Sequence, residues 1–140
     1  MAEEKRPKVG SAAVVVDGKG RILLGKRNKV NYRGKWVLPG GGVNWGETLE
    51  NAVKREISEE TGLSVDVVRF LCFREIINLP GDYHTLVFFH LCKPVGDGKV
   101  SPKDDLSEAG FFSCGEIKGL DCAESVRSVL EEAGIWGSNQ

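Results

Sequence analysis

The sequence predicts an α+β fold in which a mixed β-sheet packs between helices, and three observations predict it. Strand-like runs are broken by Gly-rich turns, two segments carry helical periodicity, and 140 residues with 41% hydrophobic content suffice to bury one sizeable core. No internal repeat or low-complexity tract interrupts that pattern. A single domain over residues 1–140 is expected, with flexible tails at 1–8 and 137–140.

In chain order, residues 9–17 and 21–27 are β-rich runs separated by "GKG", a hairpin signal. After the polar loop "NKVNYRGK", residues 36–38 form a short strand ending at "PGGG". Residues 48–61 are expected as a helix, stopped by Gly62 as its C-terminal cap. Long strands at 65–77 and 85–95 flank the turn "LPGDYH". The charged loop "GDGKVSPKDDLSEAG" then leads to an apolar run at Phe111 and Phe112. Asp121 with Glu124 opens the last helix, whose Val126, Val129, Leu130 and Ala133 form one stripe before Gly134.

Charge excludes some function classes. With 19 basic and 20 acidic residues the net charge is −1, so no global field draws the molecule to nucleic acid or an anionic membrane. Stable nucleic-acid binding is not expected. The opening "MAEEKRPKVG" lacks the apolar segment of a signal peptide, and no run is long enough to span a bilayer. Cys72, Cys92, Cys114 and Cys122 are scattered without a CxxC pair, which fits reduced thiols and a cytoplasmic protein.

The informative stretch is "REISEETG" at residues 55–62. On a helix turning about 100° per residue, Glu56, Glu59 and Glu60 fall on the arc that Leu49, Ala52 and Val53 would bury, whereas a solvated face would lie opposite. Carboxylates so converged repel one another unless a cation joins them, and a hard divalent ion with oxygen ligands suits the set. Arg55 lies beside Glu59 on the same wheel, either a surface partner or a clamp on one carboxylate. The preceding "LPGGGVNWGE" lets backbone approach the acids at Gly40, Gly41 and Gly42.

Gly41, Glu47, Arg55, Glu56, Ile57, Glu59, Glu60, Gly62 and Leu63 match every specified position of G-x5-E-x7-R-E-U-x-E-E-x-G-U, with U aliphatic. On these residues the chain resembles the Nudix hydrolase family over nearly its whole length. The resemblance implies an α/β/α sandwich around a mixed sheet. It also implies an enzyme that uses Mg²⁺, or Mn²⁺ in its place, to drive water onto phosphorus in a diphosphate linkage. Carried over by position, Glu56 and Glu60 are the principal metal ligands, Glu59 a further or water-mediated one, and Gly40 a carbonyl ligand. Arg55 orients the glutamates and Glu47 contacts Arg55 or the metal shell. Glu56 is the first choice of general base and Glu108, in "SEAGFF", the second; Asp104 and Asp105 are rivals that fit solvated loop charges better.

Other signals carry less. "GRILLGK" matches GxxxxGK, but Arg27 stands where a P-loop needs Ser or Thr. His84 and His90 have no ligand-like setting. Trp36, Phe73 and Tyr83 suit a core or a stacked base. Arg27, Tyr32, Lys35 and Arg74 are candidates for contact with phosphate or ribose. For substrate, a (d)NTP giving NMP and pyrophosphate is expected over ADP-ribose or a nucleotide sugar, because Asn78 stands where ADP-ribose enzymes often carry proline. A non-catalytic nucleotide sensor is the alternative from another class. A homodimer is also consistent, through the strand pair around "LPGDYH".

Overall fold

The computed structural model describes residues 5–29 and 32–136. Of the expected tails, residues 1–4 and 137–140 lie outside the described residues, and Lys8 already opens the first strand. The elements run β1 (Lys8–Val15), β2 (Ile22–Arg27), β3 (Trp36–Val37), β4 (Gly40–Gly42), α1 (Leu49–Thr61), β5 (Ser64–Asn78), β6 (Tyr83–Val95), β7 (Leu106–Phe112), α2 (Cys114–Ile117) and α3 (Glu124–Glu132). They form a four-stranded mixed sheet ordered β4-β1-β6-β5 and a three-stranded sheet ordered β3-β2-β7. Among the strand pairs of the described residues β1–β6 is the parallel one, with a single further parallel bridge between Trp36 and Cys122.

Alternation along the strands builds the layers. Ala13, Val15 and Leu23 point towards Val53 and Ile57 of α1, while Ala12, Val14, Ile22 and Leu24 pack with Val126, Val129 and Leu130 of α3. Both sheets thus form one central layer between helices, the α/β/α sandwich implied by the resemblance. No helix among the described residues is long and apolar enough to cross a membrane.

Two expectations are corrected. The hairpin at "GKG" is not a ladder, for β1 and β2 belong to different sheets and meet at one bridge, Val16–Ile22. Asp17 redirects the chain there: its carboxylate accepts the N–H groups of Lys19 and Arg21 and the Arg21 guanidinium at 2.8 Å. Asp121 does not open α3 either. That helix follows Ala123, which has no capping side chain, while Asp121 pairs with Lys35 at 3.0 Å.

Helix α1 is fixed at both ends. Thr48 accepts the N–H of Asn51 at 3.0 Å, and Gly62, at φ 76°, returns its N–H to Ser58. The loop after β6 is stapled onto the helix terminus, with Ser101 N–H on the Thr61 carbonyl and Lys103 N–H on that of Glu60, both at 2.8 Å. The helix is therefore held on its core face, at its caps and by this loop.

Thr48→Ala removes the capping acceptor. It is expected to cost about 1 kcal/mol and to lower the unfolding temperature by roughly 3 °C in a thermal melt.

Candidate functional site

Helix α1 and strand β4 meet through carboxylates and glycines. Gly41 faces Glu56 so closely that a Cβ on Gly41 would overlap the Glu56 carboxyl, and a Cβ on Gly40 would overlap Ser11 and Ala12 of β1. Glycine at Gly40 is therefore steric necessity against backbone, while a side chain at Gly41 would displace the Glu56 carboxyl from its place. Gly40 N–H donates to Glu60 Oε1 at 3.0 Å.

Arg55 uses all five of its N–H donors here. Its Nε and Nη2 clamp the two Glu47 oxygens at 2.8 and 3.0 Å, Nη1 reaches Glu56 at 2.8 Å and Glu59 at 3.2 Å, and Nη2 also reaches the Gly42 carbonyl at 2.8 Å. The clamp and the Asn44 N–H hold the Glu47 carboxyl down at about 2. Arg55 is thus a structural hub that ties β4, the loop before α1 and the helix itself.

Burial grades the three remaining acids. Glu59 is exposed, Glu56 half-buried, and Glu60 only 3% accessible. Burial raises Glu56 against the lowering effect of Arg55. Burial, then the charge of Glu56, pushes Glu60 up to about 8, with the Gly40 N–H opposing. As the side chains stand, no three His, Cys, Asp or Glu residues among those described converge into a ready coordination sphere, since Glu56 and Glu59 both turn an oxygen to Arg55. The donors are nonetheless all hard oxygens, and the buried Glu60 carboxyl stands beside the carboxyl of Glu56, whose charge raises it more than the charge of Arg27 lowers it. A divalent cation fits that set.

A cleft of about 340 Å³ opens beside β4, lined by the backbone of Gly40, Gly41 and Gly42. Alternate residues of β6, namely Tyr83, Thr85, Val87 and Phe89, share one face of the mixed sheet along it. Arg27, Tyr32, Leu38 and Asp105 also line it, contributed by strand β2 and by loops next to β2, β3 and β7.

The sequence candidates divide accordingly. Arg55, Glu47, Glu56, Glu59, Glu60, Gly40 and Gly41 are brought together, and Gly62 caps the helix that carries them. Arg27 and Tyr32 line the cleft. Lys35 does not, being paired with Asp121, and Arg74 lies against α3, bonded to Ser128 at 3.3 Å and Glu132 at 2.9 Å. Glu108 sits on β7 opposite Lys26, whose ammonium is 3.4 Å away, and does not line the cleft. Asp105 does line it, and its charge acts on both Glu56 and Glu60. The signal for Asp105 is non-local: its carbonyl accepts the N–H of Asn28 at 2.9 Å, across the end of β2. Of the β1 and β6 residues along the cleft, sequence reasoning singled out Tyr83 alone, because period two marks a face without saying what it looks onto.

A family model described as the NUDIX domain matches residues 6–133. The chain is 38% identical over 112 residues to a protein of Methanocaldococcus jannaschii named ADP-ribose pyrophosphatase, and 34% identical over 111 residues to putative nudix hydrolase 1 of Caenorhabditis elegans. Each alignment covers 77% of this chain but only 66% and 29% of those relatives. Among solved structures, the MutT NUDIX hydrolase from Burkholderia pseudomallei superposes with a TM-score of 0.78 at 32% identity, covering 91% of this chain and 98% of that one.

The buried acid predicts a pH signature. Glu60 is held near 8 when folded against an ordinary 4.5, so between those values the folded state binds more protons than the unfolded state. Stability in chelator is expected to fall as pH rises from about 4.5 to about 8. Glu60→Gln should flatten that slope, as read from unfolding temperatures across the window.

Proposed function

The chain belongs to the NUDIX domain family, and from that premise we propose that it is a divalent-cation-dependent pyrophosphohydrolase. Its substrate is a nucleoside diphosphate linked to another group, foremost a (d)NTP cleaved to NMP and pyrophosphate. The observation that carries this reading is the pairing of Glu60, buried and raised, with Glu56 against the Gly40–Gly42 backbone at the mouth of a ligand-sized cleft.

Glu56, Glu60 and the Gly40 carbonyl are the groups to hold Mg²⁺, with Glu59 in contact directly or through water. When bound, the ion neutralises phosphate charge and favours ionisation of water. The chain's own residues do the rest. Arg55 fixes Glu56 and keeps Glu59 close, so that the carboxylates need not reorganise as charge develops. Glu56 is the proton acceptor: the water oxygen bonds to phosphorus, its proton passes to the carboxylate, and the bridging P–O bond breaks. Among the later acids Asp105 is the alternative acceptor, since it lines the cleft and Glu108 does not.

A second substrate reading has its own support. The Methanocaldococcus jannaschii relative is named ADP-ribose pyrophosphatase, and a half-apolar cleft suits an adenine as well as any triphosphate base.

Incubation with Mg²⁺ and a panel of NTPs, dNTPs, ADP-ribose and nucleotide sugars, with products resolved, is expected to release NMP and pyrophosphate from a triphosphate. Cleavage of ADP-ribose alone would select the second reading. Glu56→Gln is expected to lower kcat/KM by about 100-fold or more with an unchanged unfolding temperature. An unchanged rate would overturn the assignment of Glu56, and turnover of nothing by the folded protein would favour a nucleotide-binding sensor.

A further inference from the structure

Helix α1 covers only part of the sheet face it packs on. Ala13 and Val15 of β1, Val65 of β5 and Cys92 of β6 meet Val53 and Ile57 there, and the cover ends at His90, which is buried within reach of the charge of Glu50. Past His90 the alternation of β6 puts Phe88, Leu86 and His84 on the same face. The ladder sets Phe73, Glu75 and Ile77 of β5 opposite those three, and Phe70 opposite His90. Phe70, Phe73 and Ile77 are 50%, 54% and 53% exposed. The Phe88 ring joins them into one patch, stacked on Phe73 at 5.9 Å and 6.3 Å from Phe70.

The other face of these two strands is already in use, for Ile76, Tyr83, Thr85 and Val87 line the cleft. Strand β1 pairs with β6 no further than Thr85, so Ile77, Asn78, Tyr83 and His84 form a two-stranded tip beyond the sheet. Such a hairpin is marginal in water unless one of its faces is packed. The half-exposed aromatic and aliphatic side chains of the patch sum to roughly 400 Å² of apolar surface, at the upper end of what a monomer leaves open. That is about half of the ~800 Å² each partner gives to a stable dimer, the polar rim supplying the rest.

Charge narrows the occupant. On this face of β5 and β6, past His90, the titratable groups are Glu75 and His84, paired at 3.0 Å, and no lysine or arginine stands among them. The patch therefore offers nothing to a polyanion or an anionic lipid surface, and its carboxylate is already tied to an imidazole when the patch meets its own copy. Register shifts between Val67 and Arg69 and between Phe70 and Cys72 interrupt the outer edge of β5, which discourages a continuous strand-to-strand ladder. We propose that this face is a homodimer interface, in which two copies pack Phe70, Phe73, Ile77, Leu86 and Phe88 against one another about a two-fold axis, face to face and not edge to edge. Each copy then backs the hairpin whose opposite face forms a wall of the other's cleft.

Sedimentation velocity on the full chain tests this without metal or substrate, and because association needs no turnover its outcome is separate from that of the hydrolase reading. A species of twice the 15.3 kDa chain mass is expected at micromolar concentration. Phe73→Asp and Ile77→Asp each set a carboxylate into the centre of the interface and should weaken the dimer by about 30-fold or more, as loss of a buried anchor does. Arg69→Asp, on the other face of the same strand, should leave it intact. Hydrogen exchange on the wild type needs no variant: protection of the β5–β6 hairpin should rise with protein concentration as the dimer forms. A monomer at every concentration, a dimer unweakened by both aspartates, exchange indifferent to concentration, or a monomeric chain captured by phosphatidylcholine vesicles would each overturn the proposal.

Discussion

The guanidinium of Arg55 is the constraint on which the rest of the site depends. A planar fork with five donors can bind several acceptors only if all of them lie near its plane, and Arg55 satisfies Glu47, Glu56, Glu59 and the Gly42 carbonyl at once. Those partners come from the middle of α1, from the loop before it and from β4. One side chain thereby sets the distance between a helix and an edge strand. A lysine there would keep the charge and lose the geometry, since an ammonium has three donors and no plane.

The opposite constraint is steric. Arg55 ties β4 to α1, where Gly41 leaves room for the Glu56 carboxyl, and Gly40 lets the strand lie close against Ser11 and Ala12 of β1. The result is a carboxyl at Glu60 that is almost wholly removed from water yet touches a backbone N–H and a second acid's field. Such a group is costly for stability and useful for holding a cation, a trade common at functional sites. The core beneath bears that cost, with Val53 and Ile57 fully buried on the same helix face.

How much of this was legible in the sequence depends on how local each signal was. The helix expected at residues 48–61 and found at Leu49–Thr61, its cap at Gly62 and the inward turn of Glu56 and Glu60 follow from spacing, because 3.6-residue periodicity carries them, whereas Glu59, set on the same arc by that spacing, is exposed. The sheet partition was not legible. The turn at Asp17 reads as a hairpin until its carboxylate is seen to bind its own backbone and the Arg21 guanidinium. Strand β4 hides in "GGG", which has no strand propensity and is extended only because β1 pairs with it. Helix α2 did leave a signal in Ser113 and Glu116, a reciprocal capping box in four residues. Asp105 and Glu108 look alike in sequence, and only the pairing of β2 with β7 carries one to the cleft and the other beside Lys26.

The central claim is that Glu56, Glu60 and the Gly40 carbonyl form one divalent-cation site prepared by Arg55. Anomalous diffraction from crystals soaked in Mn²⁺ tests it most directly. The account predicts a metal peak bonded to both carboxylates and to that carbonyl, with Arg55 still clamped on Glu47. No peak at saturating Mn²⁺, or a peak bound elsewhere with Glu60 untouched, would contradict it.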